Sequence, residues 1–322
     1  LRRWDVGALE TVAQWELPTP STRAVPVPDG KAFVSYDAVP RLSQSGPGSG
    51  KPADVAFEQG CEELTCAALR SDGHVSAADV GGRLHCWNAT GTLIRSWDAP
   101  TPARELIYCD HAGGLLASAC EDKIVFWLDV SGTRLETLDA GARILSLAVA
   151  PDCSRIAAGT ASGMIRVWQL ESAELLAGAQ LSKSPLQALA FSPDGLRLVS
   201  AGGDRTIRMW NGTPWEPQTP IGERRSFAVH DGRALGVAFR PDGRQLATIG
   251  SDYAVAIWDV GDPGEPRRID LRTAFDAKVP GADSDYFAIA YAPDGRRLAT
   301  ANSVANVVIF DVVTGKPERV FS

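Results

Sequence analysis

The chain has 322 residues, 44% of them hydrophobic and 22% charged, so it can bury a sizeable core and does not have the composition of a disordered protein. Its net charge of −7 argues against sequence-independent nucleic-acid binding, which needs a basic surface. No apolar run approaches the roughly 18–20 residues of a membrane-spanning helix, and no signal peptide is recognisable. We therefore expect no nucleic-acid or membrane partner and a cytoplasmic location.

The first elements in chain order are two short β-rich runs within residues 1–17, the first of which ends near the pair Trp4-Asp5. A second pair of runs at residues 22–37 flanks the turn Pro28-Asp29-Gly30, and an Asp-Gly turn between β-rich runs predicts a hairpin. The chain starts at Leu1 with what reads as the middle of a sheet. We therefore expect it to be part of a longer protein.

The next segment, residues 45–52, reads SGPGSGKP and is similar to the phosphate-binding pattern G-x-x-x-x-G-K-[ST]. Ser45 stands where that pattern begins with glycine, and Pro52 stands where it needs a hydroxyl to bind Mg²⁺. A phosphate loop also needs a helix N-terminus after it, whereas here a strand follows. We interpret the segment as a turn between a third and a fourth strand, and we expect no cofactor.

From residue 61 onward a unit of four short β-rich runs recurs. In each of six units, the first two runs form a hairpin around a turn, and the third run ends in a large aromatic residue. The interval from the first residue of the turn to the aromatic residue is 16 in the first unit and 17 in the other five. The turns begin at Ser71, Asp110, Pro151, Pro193, Pro241 and Pro293, and the aromatic residues are Trp87, Trp127, Trp168, Trp210, Trp258 and Phe310. This regular interval predicts consecutive four-stranded antiparallel blades.

These repeats resemble those of the WD-repeat β-propeller family over essentially the whole chain. The Trp-Asp pair that names the family stands at Trp4-Asp5 and Trp258-Asp259, and the other repeats carry degenerate versions such as Trp210-Asn211. The resemblance implies an all-β fold with seven four-stranded blades, or eight if half a blade is missing. The composition, rich in Ala, Arg, Gly and Pro with repeated Pro-Asp-Gly turns, resembles bacterial members.

The repeat pattern also predicts the boundaries of the domain. Residues 1–17 are expected to be the third and fourth strands of an incomplete or closing blade, and residues 18–322 are expected to form the propeller. The predicted repeats lie at about 18–60, 61–100, 101–140, 141–181, 182–229, 230–283 and 284–322.

In this family a His, a Ser or Thr, an Asp and the Trp of one blade share a hydrogen-bond network. By matching spacing, the resemblance implies such a network at His230, Thr248, Asp252 and Trp258. The preceding repeat keeps Ser200, Asp204 and Trp210, but Ser182 occupies the position of the histidine. We expect these residues to hold strands together rather than to catalyse a reaction, because no nucleophile stands at a known spacing.

Two repeats carry insertions, which are candidates for partner binding because loops on a rigid scaffold commonly carry function. One insertion, at residues 273–286, mixes aromatic and charged residues; its candidates are Phe275, Asp276, Lys278, Asp283, Asp285 and Tyr286. The other insertion, at residues 211–222, contains Trp215 between two prolines. A tolerated surface insertion is the alternative interpretation of both segments.

The six cysteines follow no zinc-binding spacing and mostly lie in apolar runs, so we expect reduced, buried thiols and no metal site. No paired carboxylates or Ser/His/Asp order point to catalysis. We therefore predict a non-catalytic interaction propeller that binds protein partners or other domains of the same polypeptide, in a bacterial signalling or defence protein. The alternative is a propeller enzyme or small-ligand binder that uses the central channel, although the first strands of the repeats are mostly apolar and small.

Overall fold

A computed structural model describes residues 2–5, 10–14, 23–26, 33–36, 64–70, 72, 74–88, 92–109, 114–128, 131–211, 223–261, 266–271, 286–292, 294–302 and 307–321. The chain divides into two compact units, Leu1–Gly141 and Ala142–Ser322. The described part of the chain contains no helix long and apolar enough to cross a membrane.

The first unit contains two hairpins and two four-stranded antiparallel sheets. The hairpins pair β1 (Arg2–Asp5) with β2 (Glu10–Gln14), and β3 (Arg23–Pro26) with β4 (Phe33–Tyr36). The first sheet has the order β5 (Leu64–Leu69), β6 (Val75–Asp79), β7 (Arg83–Trp87) and β8 (Leu93–Asp98). The second comprises β9 (Ala103–Cys109), β10 (Leu115–Cys120), β11 (Lys123–Leu128) and β12 (Thr133–Asp139), which are also adjacent in chain order.

The second unit contains four sheets of the same kind, each with its four strands adjacent in chain order. They comprise β13 (Ile144–Val149), β14 (Arg155–Thr160), β15 (Met164–Gln169) and β16 (Leu175–Gln180), followed by β17 (Leu186–Phe191), β18 (Arg197–Gly202), β19 (Thr206–Asn211) and β20 (Glu223–Ala228). The last two comprise β21 (Ala234–Phe239), β22 (Gln245–Gly250), β23 (Ala254–Asp259) and β24 (Arg267–Asp270), then β25 (Tyr286–Tyr291), β26 (Arg297–Asn302), β27 (Val307–Asp311) and β28 (Pro317–Phe321).

The predicted all-β class and the four-stranded antiparallel blades are confirmed. The described residues form 28 strands, the number that seven four-stranded blades require. Six blades are complete sheets, and each falls within one predicted repeat. The remaining four strands, β1 to β4, form the two hairpins, and β1 contacts β4. The repeat boundaries themselves stay a prediction.

Apolar packing between sheets builds the core of the second unit. In one cluster, Ile165 and Val167 of β15 pack with Leu189 and Phe191 of β17, so consecutive sheets meet face to face. The aromatic residues near the ends of the third strands are almost completely buried in both units: Trp87, Trp127, Trp168, Trp210, Trp258 and Phe310. The recurring aromatic residue of the sequence is therefore a packing residue of each complete sheet.

The Pro-Asp-Gly turns join the first and second strands as predicted. Gly195, Gly243 and Gly295 have φ of 68°, 70° and 64°, a conformation that glycine adopts without a steric penalty. The aspartate before each glycine accepts a hydrogen bond from a backbone N–H two residues on, as Asp242 does from Arg244 at 3.0 Å. These contacts explain why the Asp-Gly pair recurs at these turns.

Three cysteines, Cys66, Cys86 and Cys120, are buried free thiols, as the sequence predicted. The expectation of reduced thiols is wrong for Cys109 and Cys153, because both are disulfide-bonded. Cys153 also has a positive φ of 55°, at the turn position that glycine occupies in later repeats. Among the described residues, no group of His, Cys, Asp and Glu side chains is arranged to hold a metal ion.

Candidate functional site

A hydrogen-bonded network joins the strands of the β21–β24 sheet. His230 precedes β21, and its Nδ1–H donates to Asp252 Oδ1 at 2.9 Å. The Thr248 hydroxyl in β22 is hydrogen-bonded to His230 Nε2 at 3.0 Å, and Trp258 Nε1–H in β23 donates to Thr248 Oγ1 at 3.4 Å. These donor and acceptor roles follow because Trp can only donate and a carboxylate can only accept.

Asp252, in the turn between β22 and β23, is the centre of this network. Its carboxylate also accepts from the backbone N–H groups of Asp231, at 3.0 Å, and Ala254, at 3.3 Å. Arg268 of β24 adds an ion pair at 2.9 Å and donates from its other terminal nitrogen to Val229 O at 2.9 Å. One carboxylate therefore ties the segment before β21, the β22–β23 turn and the fourth strand together.

The ionisation of Asp252 reflects two opposing effects. Burial raises the pKa of this carboxyl, but the hydrogen bond from His230, with those from the two backbone N–H donors, outweighs burial and leaves the pKa below its ordinary value. The charged form of Asp252 is therefore the form that the folded sheet stabilises.

Catalytic triads also contain a carboxylate, an imidazole and a hydroxyl in this order, and in a triad the substrate must reach the hydroxyl. Thr248 is 0% exposed and His230 is 4% exposed. A substrate cannot reach the Thr248 hydroxyl, and both ring nitrogens of His230 already have partners within the sheet. This arrangement can hold strands together, and it offers no nucleophile to solvent.

An open depression of about 450 Å³ lies beside the network. Its lining residues are Asp231, Asp252, Tyr253, Ala254, Arg268 and Asp270. Asp231 is strongly exposed, with a side-chain accessibility of 90%, and lies 3.5 Å from Arg268. The depression therefore combines three carboxylates with one guanidinium, which already bonds the buried carboxylate.

The preceding sheet does not complete the equivalent network. Ser200 Oγ and Trp210 Nε1 are buried without a hydrogen-bond partner. Asp204 instead pairs with Arg208 at 2.8 Å, and Ser182 bonds Ser184 O at 3.0 Å. The structure thus brings His230, Thr248, Asp252 and Trp258 together as expected. It does not connect Ser200, Asp204 and Trp210, because the histidine that would bridge them is absent.

A second buried histidine network lies around His85 in the β5–β8 sheet, and the repeat spacing did not predict it. Its Nε2–H donates to Asp79 Oδ2 at 2.9 Å, and the Ser96 hydroxyl donates to Nδ1 at 2.7 Å. His85 and Ser96 are register partners across β7 and β8. The contact between His85 and Ser96 therefore depends on strand register, which the spacing of motifs along the chain does not reveal.

Most of the predicted partner-binding residues lie outside the described part of the chain. This applies to Phe275, Asp276, Lys278, Asp283 and Asp285, and to Trp215 in the other insertion. Tyr286 is the first residue of β25, where it pairs in register with Asn302, so it begins a strand. The phosphate-loop look-alike at residues 45–52 is also outside the described residues.

Family comparison finds WD repeats in the chain. The family "WD domain, G-beta repeat" matches residues 132–169, 178–211 and 222–259. Each matched span runs from the fourth strand of one sheet to the third strand of the next, and the third span contains His230, Thr248, Asp252 and Trp258. The three spans thus cover most of the strands from β12 to β23.

Curated relatives match about half of this chain at low identity. Protein FIZZY-RELATED 3 of Arabidopsis thaliana is 26% identical over 158 residues, 47% of this chain and 33% of the relative. Anaphase-promoting complex subunit cdc20 of Dictyostelium discoideum is 31% identical over 177 residues, 48% of this chain and 35% of the relative. The chain thus spans about a third of the length of these relatives, and both are eukaryotic, so the expected bacterial style is not supported.

A solved structure extends the comparison to nearly the whole chain. The β-propeller domain of Cps50 (Swd1) from Myceliophteria thermophila superimposes with a TM-score of 0.72 at 16% sequence identity, covering 92% of this chain and 98% of that domain. At this identity the likeness shows the fold alone, and the fold is a β-propeller. The three spans that match the WD repeat lie within this propeller fold.

Proposed function

We propose that this chain is a non-catalytic interaction propeller that acts as a regulatory part of a larger protein assembly. The observation that carries the proposal is the similarity, over about half of the chain, to proteins named as parts of an assembly. One is an anaphase-promoting complex subunit, and another is "Cell division cycle 20.6, cofactor of APC complex" from Arabidopsis thaliana, 28% identical over 175 residues, 50% of this chain and 41% of the relative.

The accessible chemistry of the described residues agrees with a binding role. The histidine networks of the β5–β8 and β21–β24 sheets are buried and engaged within their own sheets, so they stabilise the scaffold. Stable sheets joined by variable connections are a typical platform for partner binding. Participation in a bacterial signalling or defence protein, and a cytoplasmic location, stay predictions from the sequence.

The insertion at residues 273–286 is our candidate for the partner surface. It connects the fourth strand β24 to the first strand β25, and it contains aromatic and acidic residues that typically anchor interfaces. Phe275 and Lys278 are the residues to change first, since Tyr286 belongs to β25.

The test is affinity capture of partners from the native source with the wild-type chain and with Phe275→Ala combined with Lys278→Glu. The matched control is Leu196→Ala, which truncates a 47% exposed apolar residue in a first-to-second-strand turn, at the other end of the strands. We expect the double variant to lose a stoichiometric protein partner that the control retains. Equal partner lists for all three proteins would rule out this surface, and no partner for any of them would contradict the proposed function.

A further inference from the structure

Three exposed cations of the second unit lie close together in the fold. Arg143 precedes β13, Lys183 lies between β16 and β17, and Arg205 lies in the turn between β18 and β19. In the part of the chain that the structure describes, none of these three side chains makes an ion pair or a hydrogen bond. Their charges are therefore available to another molecule.

Backbone contacts place Arg143 and Lys183 on either side of one turn. Ala161, which opens the β14–β15 turn, donates its N–H to Arg143 O at 2.8 Å. Gly163, which ends the same turn, lies so close to the segment before β17 that a Cβ there would overlap the carbonyl oxygens of the two residues flanking Lys183. The turn thus contacts the backbone next to both cations.

The segment that carries Lys183 also contacts the turn that carries Arg205. Gly203 N–H in the β18–β19 turn donates to Pro185 O at 2.7 Å, and a Cβ at Gly203 would lie 3.5 Å from Ser184 Cβ. Arg205 follows two residues later, with φ of 70°. The three cations therefore stand on contiguous segments at one end of the β13–β16 and β17–β20 sheets, and we call this region the cationic surface.

Gln180, the last residue of β16, braces the cationic surface. Its side-chain amide nitrogen donates to Ser162 O at 2.5 Å and to Ser182 O at 2.6 Å, so one side chain ties the β14–β15 turn to the segment before β17. Ser182 Oγ accepts from Ser184 N–H at 3.0 Å and fixes that segment further. Less conformational entropy is lost on binding when the backbone of a surface is already fixed.

The cationic surface contains little opposing charge. Asp204 is the one acidic residue in the segments that build it, and it pairs with Arg208 at 2.8 Å; these segments are residues 142–144, 161–164, 180–186 and 203–206. Asp139, four residues before Arg143, pairs with Lys123 at 2.7 Å. Three unpaired cations on a chain with a net charge of −7 form a local positive patch, which attracts an anionic partner.

The spacing of the cations indicates the kind of anion that fits. Arg143 and Lys183 stand before the first strands of two sheets that meet face to face, and packed sheets lie about 10 Å apart. A single small anion does not span that distance. In an extended segment, which rises about 3.3 Å per residue, carboxylates three residues apart have a similar separation. The net charge of −7 disfavours a long nucleic acid, because the rest of the chain repels it.

We propose that the cationic surface binds an extended acidic segment of a partner protein, in which Asp or Glu residues recur about every third position. Each carboxylate pairs with one cation, and the braced turns keep the cations at the matching separation. This inference rests on the proposed function in that the occupant is a partner protein. It assigns a surface on the β13–β16 and β17–β20 sheets, apart from the insertion at residues 273–286.

The direct test measures fluorescence anisotropy of two labelled peptides with the purified full chain at low salt. Both peptides consist of Gly, Ser and Thr, with Glu at every third position in one and Gln at the same positions in the other. We expect the Glu peptide to bind about tenfold more tightly, as three exposed ion pairs predict, and the difference to shrink at high salt. Equal binding of the two peptides, or no binding of either, would overturn the proposal.

Two triple variants with the same change in net charge separate this surface from general electrostatic attraction. One combines Arg143→Gln, Lys183→Gln and Arg205→Gln. The matched control changes three exposed cations in turns at the opposite end of the strands, and it combines Arg244→Gln, Arg296→Gln and Lys316→Gln. We expect the first variant to lose the preference for the Glu peptide and the control to keep it. Loss of the preference in both variants, or in neither, contradicts the cationic surface as the binding site.

Other occupants give different results in the same assay. Tighter binding of a labelled single-stranded oligonucleotide than of the Glu peptide would identify a nucleic acid and overturn the proposal. If Asp283→Asn combined with Asp285→Asn strengthens binding of the Glu peptide, the chain's own insertion competes for the surface, and the partner segment is not its occupant.

Capture from the native source distinguishes failure of this inference from failure of the proposed function. A photo-crosslinking residue at Ser162, in the turn between Arg143 and Lys183, should recover partner peptides with regularly spaced Asp or Glu. Crosslinked peptides without acidic residues would overturn the inference. Partners that the first triple variant retains, together with no preference for the Glu peptide, remove the inference and leave the proposed function standing.

Discussion

At the scale of residues, His230 and Ser182 stand at equivalent positions of two consecutive repeats, and comparing them shows what one histidine contributes. His230 satisfies Thr248 and Asp252 in the β21–β24 sheet, whereas Ser200 and Trp210 remain without partners in the preceding sheet. A buried polar group without a partner costs about 1–3 kcal/mol, so the preceding sheet carries an avoidable destabilisation.

We predict that Ser182→His stabilises the chain by about 1 kcal/mol. The new imidazole would reach Ser200 Oγ and Asp204, and Gly202 leaves the space for it. A Cβ at the equivalent Gly250 would lie 2.5 Å from His230 Nδ1, so the ring packs directly against the glycine. The free energy of unfolding from urea titration, compared with that of Ser182→Ala, measures the effect. A histidine variant no more stable than the alanine variant would contradict this account of the network.

Two carboxylates with lowered pKa values also predict how stability depends on pH. Hydrogen bonding outweighs burial and holds the pKa of Asp252 below its ordinary value, and for Asp152 the Ser154 hydroxyl is the main cause of a lowered pKa. A carboxyl whose folded pKa is lowered contributes stability that is complete above its unfolded pKa, about 3.9, and is lost as pH falls through the folded value.

We therefore expect the free energy of unfolding to hold steady down to about pH 4.5 and to fall below about pH 4. Asp252→Asn should be less stable than the wild-type chain at pH 7, and the difference should shrink on acidification. Urea titrations from pH 7 to pH 3 measure both curves. A constant difference between the two proteins across this range would show that the Asp252 charge does not stabilise the fold.

The residues that could be predicted at the site are those that recur at fixed intervals. His230, Thr248, Asp252 and Trp258 follow one repeat spacing, and the structure brings them into contact. Arg268 could not be predicted, because its reach to Asp252 depends on the register of β24 against β23. The contact between His85 and Ser96 was missed for the same reason, since the two residues meet through the register of β7 against β8.

At the scale of elements, turns decide where the strands begin. Gly163 ends the turn before β15 with φ of 81°, and a Cβ there would lie 2.4 Å from Ser182 O and 2.5 Å from Ser184 O. Gly178, in β16, has no such constraint. The two glycines of one sheet therefore have different reasons to be present, since Gly163 is required by backbone geometry and Gly178 is not.

We predict that Gly163→Ala destabilises the chain by at least about 2 kcal/mol, since it combines left-handed backbone strain with overlap against two carbonyl oxygens. Gly178→Ala should change the free energy of unfolding by less than about 1 kcal/mol, because alanine fits the ordinary strand conformation. Thermal and urea unfolding of the two variants provide the comparison. Similar losses for both would mean that the turn geometry before β15 is not as described.

The hairpins could be predicted because Asp-Gly turns determine both the position and the register of the strands they join. The third strands could be predicted from their terminal aromatic residues, which are buried at the same place in each complete sheet. The register of the fourth strands could not be predicted, since they carry no recurring residue that would mark which positions of β16 lie opposite those of β15.

At the scale of the whole molecule, the fold is a series of four-stranded sheets. In the part of the chain that the structure describes, the two buried histidine networks lie within single sheets. Proteins built in this way offer large rigid surfaces, and the surfaces that differ from repeat to repeat are those expected to recognise a partner.

The central claim, that the chain works as part of a protein assembly, is tested most directly by its size in an extract of the native source. We predict that the tagged 34.3 kDa chain migrates there in a complex of several times its own mass with stoichiometric protein partners, while the purified chain alone migrates as a monomer. Migration of the chain at its monomer mass in the extract, with no protein partner, would contradict the account.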